Sequence, residues 1–501
     1  MGDGPRIAVW HRDDFRVRDN AALAAAARDG DPQPVFIFDP QFYESGMACD
    51  ARKRFVHQSI AALDAGYRDR GSSLVLRHGD PGAVLDDLDV DCVYVNRSVT
   101  GRYGRERDDR LFERDDVEVF ADDGVDWTDR GRGDYDWQAQ AEVYFERERR
   151  EAPTELPANR IERTATVDAV ETEYGVEPEK TGVQRGGESA AWQRLRAFTD
   201  AIGDYPGGIS APTEAEERTS RLSPYLAFGC LTPRQVHQYV KRETGDGRAV
   251  SMFESRLYWN RHYSQKLADW PGWTETAVNP VYRGLYRSEH DEALAAAWRE
   301  GHTGYPLVDA SMRALRETGW LNFRMRAMCA TFYHYVLRCW WQPGADHFYR
   351  HLVDADAAIN YTQWQTQCNL TGVHPVRVYN PRKQIRENDP DGEFVREYVP
   401  ELRDLPDEHL ARPEKAPLSV QDDCGVRIGE DYPRPVVEFE ARREQAREDY
   451  ARLADRAREV IEHDPEIRRR ASLSRRGRPR PDGDESGDRP TAEEQASLGD
   501  F

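Results

Sequence analysis

The chain has 501 residues, a formal net charge of −21 and seven cysteines with no CxxC pair. That length admits two or three domains with a large core, and the cysteine pattern excludes a disulfide framework and a zinc or iron–sulfur signature. No stretch reaches about 18 uncharged apolar residues and no signal-type apolar run opens the chain, so a cytoplasmic protein with no membrane partner is expected.

Of the 70 basic residues, 6 are lysine and 64 arginine, against 91 Asp and Glu. Carboxylates keep a surface soluble better than ammonium groups do, so this balance predicts a halophilic protein. A GC-rich genome explains the arginine bias but not the acid excess. The acidic total argues only weakly against nucleic acid, because a local basic groove can coexist with an acidic exterior.

In chain order, residues 6–120 read as an α/β unit. Strands are expected at Arg6–Trp10, Gln33–Phe38, Ser73–Arg77 and Asp91–Val95, and helices at Asn20–Ala27 and Arg52–Asp69. Alternating strands and helices imply a parallel, Rossmann-like sheet with right-handed crossovers. Ligands of such sheets sit beyond the strands' carboxyl ends, here Trp10–Asp14, Asp39–Phe42 and Asn96–Tyr103. The domain boundaries follow: an α/β domain over 1–130, a charged, proline-bearing interdomain connection over 131–185, an all-α domain over 186–440, and a charged tail over 441–501. Arg468 to Arg480 holds seven arginines in thirteen residues, a composition expected to stay disordered.

Thr219, Ser220, Arg221, Leu222 and Ser223 form a loop entering a helix, a hydroxyl-rich phosphate cradle, with Tyr205 upstream; an ordinary N-cap is the plainer alternative. The densest chemistry lies between Trp298 and Leu402, where aromatic, arginine and carboxylate side chains interrupt apolar, helix-like sequence. Buried polar groups each need a partner, so this stretch is expected to build a cofactor pocket. Arg324 and Arg326 sit about 200° apart on a helix expected over Trp320–Cys339, so one turns inward and one outward. Asp354 and Asp356 are natural inward partners, and no further carboxylate or histidine cluster supports a metal site. Trp341, Trp364, Tyr286, Tyr335 and Tyr361 are either packing or spaced relays for an electron.

These motifs resemble the photolyase/cryptochrome flavoproteins over roughly residues 6–410. The segment from Trp10 to Asn20 is similar to the opening of their antenna domain. Thr219–Ser223, Glu300–Pro306 with Val308 and Asp309, Gly319–Trp320, Asp354 and Asp356, Asn360 and Pro400–Leu402 are similar to their FAD domain, in order and spacing. The resemblance implies FAD, blue-light photochemistry and a second antenna chromophore, a deazaflavin or a folate. It implies that Tyr205 and Thr219–Ser223 hold the FAD phosphates and ribityl chain. Arg326 and Asp354 would pair beside the isoalloxazine, with Asp356 at its polar edge and Asn360 at its N5. Trp364 and Trp341 would open the electron chain; its third member is not a tryptophan here, and Tyr286 lies near that place.

The substrate helix departs from the family pattern. Arg256 stands where a glutamate hydrogen-bonds a cyclobutane dimer, Phe323 replaces an asparagine, Ala327 a methionine and Thr366 the second stacking tryptophan. Trp259 alone survives from that set. The histidine pair expected for 6–4 photoproducts is absent. Arg256, Arg261, Lys266, Arg324, Arg382 and Lys383 are expected to line a phosphate-binding rim, with Gln384 at a DNA-contacting position and a flipped base on Trp259. The expected function is a light-driven DNA photolyase acting as a monomer on damaged or single-stranded DNA. The alternative is a cryptochrome-like photoreceptor or redox protein with a signalling partner.

Overall fold

The computed structural model describes residues 4–127 and 137–471. Five parallel strands form one sheet: β1 (Arg6–His11), β2 (Asp31–Phe38), β3 (Val75–His78), β4 (Cys92–Asn96) and β5 (Val117–Phe120), in the order β3-β2-β1-β4-β5. Trp10 pairs with Val35, and Val9 with Tyr94. Successive side chains turn to opposite faces. Ile7, Val9, Phe36 and Phe38 enter one apolar cluster, and Ala8, Trp10, Val35 and Ile37 another. Burial on both faces explains why these strands read as apolar runs rather than as alternation. The four expected strands are present with shifted ends. The fifth, Val117–Phe120, was not expected, because its sequence Val-Glu-Val-Phe is short and only half-buried.

Helices α1 (Ala21–Asp29) and α2 (Asp50–Arg68) cover the sheet. Asn20 is not helical but caps α1, its side chain accepting the Leu23 N–H. The region read as an interdomain connection is corrected by the structure. It contains α3 (Trp137–Glu146) and a second helix, Val167–Glu173, and buries Ala141, Tyr144, Phe145, Leu156 and Val170. Ala141, Tyr144 and Phe145 sit four, seven and eight residues after Trp137, an amphipathic spacing that the neighbouring charges masked. Residues 128–136 lie outside the described residues.

The helical part then runs through α4 (Glu188–Asp200), α5 (Arg248–Asp269), α6 (Pro306–Thr318), α7 (Phe323–Thr331), α8 (Trp341–His351) and α9 (Ala357–Gln367). Its first half shares a core with the sheet: Leu195, Val236, Phe253 and Leu257 belong to the cluster that holds Val9 and Phe38. Tyr263 and Leu267, later on α5, belong to a second core with α6 to α9. The long α5 helix therefore bridges the two cores.

The single helix expected over Trp320–Cys339 begins three residues later. Gly319 takes φ +70° to end α6, and Asn322 caps α7 by accepting the Met325 N–H. A π-helical turn over Phe332–Val336 follows, and Arg338 at φ +56° ends it. The tail is also corrected. Helix α10 (Phe439–His463) and a short helix, Pro465–Ala471, bury Phe439, Tyr450, Ala457, Ile461 and Ile467 on the second core. Arg469 and Arg470 pair with Glu466, and Arg470 lies over the Trp270 ring at 4.7 Å. The composition looked tail-like because a helix that buries one stripe leaves the rest of its surface charged. The later arginines, Arg475 to Arg480, lie outside the described residues.

Candidate cofactor site

The candidate residues lie on α5, α7, α8 and α9 and in the Thr219–Ser223 loop, whose Arg221 lies over the Trp320 ring just before α7. Arg326 projects from the second turn of α7. Its Nη2 donates to both Asp354 oxygens, at 2.8 and 3.1 Å, and its Nε donates to Leu321 O at 2.8 Å. Arg324, on the other side of the helix as its spacing requires, reaches Ser210 Oγ at 3.3 Å and the Tyr379 ring at 5.8 Å. Asp356 caps α9 by accepting the Ile359 N–H. Burial raises its pKa, against the pull of that N–H and of Arg261. One turn on, Asn360 Nδ2 donates to Ala345 O at 3.0 Å and ties α9 to α8. The two carboxylates expected to face inward thus do different work, one as an ion-pair partner and one as a helix cap.

In the Thr219–Ser223 loop, Arg194 holds the carbonyls of Thr219 and Ser220 at 2.6 and 2.8 Å. Arg221 adopts φ +51°, and its guanidinium lies 4.1 Å from the Trp320 ring centroid and 2.9 Å from Glu216. Ser220 Oγ accepts the Leu222 N–H, Leu222 is buried, and Ser223 opens a short helix, Ser223–Ala227. The Thr219 hydroxyl donates to Ala215 O at 2.6 Å, so its lone pairs but not its proton remain for a ligand. Tyr205 is buried against Phe198 and Phe253, and the Arg256 side chain hydrogen-bonds its hydroxyl.

Trp341 and Trp364 are both buried. Trp364 stands edge-on to Trp298, Tyr333 and Phe348, at 6.1, 5.9 and 5.3 Å. Trp341 meets Tyr361 edge-on at 6.4 Å. Tyr286 is buried rather than at the surface; its hydroxyl donates to Asp449 at 3.1 Å, and its ring lies against His334.

Several members of the expected cationic rim are engaged elsewhere. Arg261 lies five residues after Arg256, about 140° further round the helix. Its Nη1 donates to Asp123 O at 2.6 Å, and it lines a cavity of about 100 Å³ between the sheet and α5. Arg382 is half-buried against Glu414 and the Tyr305 ring, and Lys383 pairs with Glu387. Gln384 is 7% exposed, its amide held by Glu387 and Asn388, so it faces its own helix rather than a ligand. Lys266 lies over the Trp273 ring, where loss of water lowers its pKa to about 7. Phe323 is half-buried at the start of α7.

Trp259 has company that sequence reasoning missed. Trp137, from the stretch read as a linker, lies 5.7 Å from it and 4.5 Å from His262, with Tyr263 stacked on Trp259 at 5.9 Å. Beyond the strand ends, Arg107 lies over Trp10 and Tyr103, Tyr103 hydrogen-bonds Asp39, and Arg12 pairs with Asp108. The strand ends where a ligand was expected thus carry a compact stack of cations and rings.

A parallel-sheet domain joined to a helical domain, with a partly buried Arg–Asp pair, buried tryptophans and a loop at a helix start, suits a large polar redox cofactor. Residues 7–125 match the family model described as DNA photolyase, and residues 253–452 that of the FAD binding domain of DNA photolyase. The chain is 32% identical over 480 residues to a deoxyribodipyrimidine photo-lyase of Halobacterium salinarum, covering 87% of this chain and 97% of that protein. It is 31% identical over 470 residues to a cryptochrome DASH of Natronomonas pharaonis, covering 87% and 98%. The crystal structure of a class III photolyase from Agrobacterium tumefaciens superposes with a TM-score of 0.75 at 27% identity, covering 91% and 98%. The chain belongs to the photolyase/cryptochrome family of FAD flavoproteins. The residues present fit that cofactor: Arg221 Nε and Trp364 Nε1 are buried with no partner in the protein, polar atoms that a ligand's acceptors would satisfy. Among the described residues, no helix is long and apolar enough to cross a membrane, and no cluster of three or more metal-ligating side chains occurs.

Proposed function

We propose that this chain is a blue-light-driven DNA photolyase that repairs pyrimidine photoproducts. FAD, when bound, supplies blue-light absorption and one-electron reduction, chemistry that no side chain provides. Arg326 and Asp354 would hold the isoalloxazine, Asp356 and Asn360 would meet its polar edge and N5, and Tyr205 with Thr219–Ser223 would hold the phosphates and ribityl chain. Trp341 and Trp364 would supply electrons to it. An antenna chromophore, a deazaflavin or a folate, would sit beyond the strand ends.

The observation that carries the repair reading is the aromatic platform on α5. Trp259, His262 and Tyr263, on the helix that also bears Arg256, and Trp137 from α3 each lie within 6 Å of at least two of the others. Stacking rings next to a cation are what a base flipped out of damaged or single-stranded DNA requires. Trp137 would take the stacking role that Thr366 cannot. Arg256, Arg324 and Phe323 would form the DNA-facing rim. The test is blue-light repair of oligonucleotides carrying a cyclobutane dimer or a 6–4 photoproduct. Loss of one lesion in the light and not in the dark is expected. Trp259→Ala should weaken lesion binding by about 1–3 kcal/mol, the worth of one stacked base. No light-dependent loss of either lesion would sink the reading.

A second reading, a cryptochrome-like photoreceptor or redox signalling protein, is favoured by Phe323, Ala327 and Thr366 and by the engagement of Arg256 with Tyr205. It requires illumination to change the proteolysis pattern or the binding of a protein partner. Identical patterns in lit and dark samples would count against it.

A further inference from the structure

A one-electron relay that begins at Trp364 and Trp341 needs a final donor, and the third tryptophan is missing. A tyrosine suits that place only if it touches the relay and can release its phenolic proton as it loses an electron, because the protonated radical is a very strong acid. Three buried tyrosines compete. Tyr333 lies 5.9 Å from Trp364, but its hydroxyl has no hydrogen-bond partner, so nothing is placed to take the proton. Tyr286 donates to Asp449, but that carboxylate is shared with Arg338 and Arg452, and the Arg338 guanidinium lies 4.6 Å from the Tyr286 ring, where a positive charge opposes its oxidation.

Tyr361 meets both conditions. Its ring stands edge-on to Trp341 at 6.4 Å, and its hydroxyl donates to Asp346 Oδ1 at 2.7 Å. It sits one turn before Trp364 on α9, and the two share a face of that helix. Opposite them, a Cβ added at Gly344 would lie 2.6 Å from Trp364 Cη2, so the Trp364 edge rests on α8 one turn from Trp341. Trp364, Trp341 and Tyr361 therefore occupy a single interface between two helices. Asp346 is half-buried, with a way out to water.

We infer that Tyr361 is the terminal electron donor of this chain's photoreduction relay and that Asp346 is its proton acceptor. The inference rests on the flavin reading above. When FAD is bound, its light-excited oxidised form would supply the oxidant and be reduced by one electron, which Trp364 gives up and recovers from Trp341. Tyr361 then gives one electron to the Trp341 radical cation. Its O–H bond breaks, the proton moves to the Asp346 carboxylate, and a neutral tyrosyl radical and a neutral carboxylic acid remain. Burial raises the Asp346 carboxyl above its ordinary range, making it a better base. Burial and the Asp346 charge together raise the Tyr361 hydroxyl, which keeps its proton until the ring is oxidised. The next ring outward, Tyr349, lies 5.6 Å from Tyr361 with the Arg52 guanidinium 5.0 Å from its centroid. That cation disfavours passing the hole on, so it stays at Tyr361.

The experiment is electron paramagnetic resonance of the FAD-loaded full chain, frozen under blue light, with unlabelled and ring-deuterated tyrosine. Wild type should give a tyrosyl signal that narrows on deuteration. Tyr361→Phe should lose it and leave a tryptophanyl signal, and Tyr286→Phe should keep it. Asp346→Asn retains the ring but removes the base, and it too should lose the tyrosyl signal, together with the solvent deuterium effect on its rise; this variant keeps the test decisive if Tyr361→Phe fails to fold. A tyrosyl signal that survives in Tyr361→Phe, or one that disappears in Tyr286→Phe, overturns the assignment. A wild-type protein that binds no FAD, or shows no photoreduction, overturns the flavin reading and the relay with it.

Discussion

Replacing Asp354 with asparagine tests the centre of the site. Arg326 grips both Asp354 oxygens, and the Asp354 side chain is 3% exposed while that of Arg326 is 24% exposed. Removing one partner of a buried ion pair costs about 3–5 kcal/mol, because the other charge is left uncompensated. Arg326 keeps some water, and asparagine retains one carbonyl acceptor, so Asp354→Asn should cost about 2–3 kcal/mol. Denaturant midpoints of the FAD-free chain measure this, and FAD content after purification should fall in parallel. The double variant Arg326→Gln/Asp354→Asn removes both charges and should be more stable than the summed single effects by more than about 1 kcal/mol. Additivity within about 0.5 kcal/mol would show that the two side chains do not support each other, and the geometry would have no energetic meaning.

His334 gives the chain an acid-sensitive core. It is fully buried, and loss of water lowers its pKa to about 3, outweighing the Cys339 carbonyl, which favours the charged form. The unfolded state therefore binds more protons between an ordinary histidine pKa of about 6.5 and about 3. Stability should fall as pH drops through that window, by at most about 1.4 kcal/mol per pH unit from this group. His334→Gln should flatten the slope of stability against pH there; an unchanged slope would refute the assignment. The net charge of −21 predicts that screening relieves self-repulsion. The thermal midpoint should rise from dilute to molar sodium chloride, and a flat or falling midpoint would remove the case for a salt-adapted surface.

Local chemistry was legible without coordinates where a short motif reports it. The apolar runs at Ile7–Trp10 and Val35–Phe38 read as strands of a parallel sheet, and the spacing of Arg324 and Arg326 required opposite directions, as found. That one of the two arginines meets an inward carboxylate followed from the cost of burying either charge alone, while the choice of Arg326 and Asp354 was implied by the family resemblance. The same reasoning failed where periodicity was hidden by surface charge. Trp137–Glu146 and Phe439–His463 bury one narrow stripe each, so their composition reads as linker and tail while their geometry is that of core helices.

What the sequence could not supply was the partner of each polar group, because partners lie far apart in the chain. Arg261 and Gln384 looked like ligand contacts and are held by Asp123, Asn260, Glu387 and Asn388. Trp137 is brought to Trp259 across more than a hundred residues, and Tyr361 is given Asp346 only by the packing of α9 on α8. The sequence by itself determined the family and the parallel sheet, and it supplied the candidates for holding a flavin. Tertiary structure alone decided which aromatic rings touch and which carboxylate stands ready to take a proton, since both depend on side-chain direction at helix crossings that no linear pattern encodes.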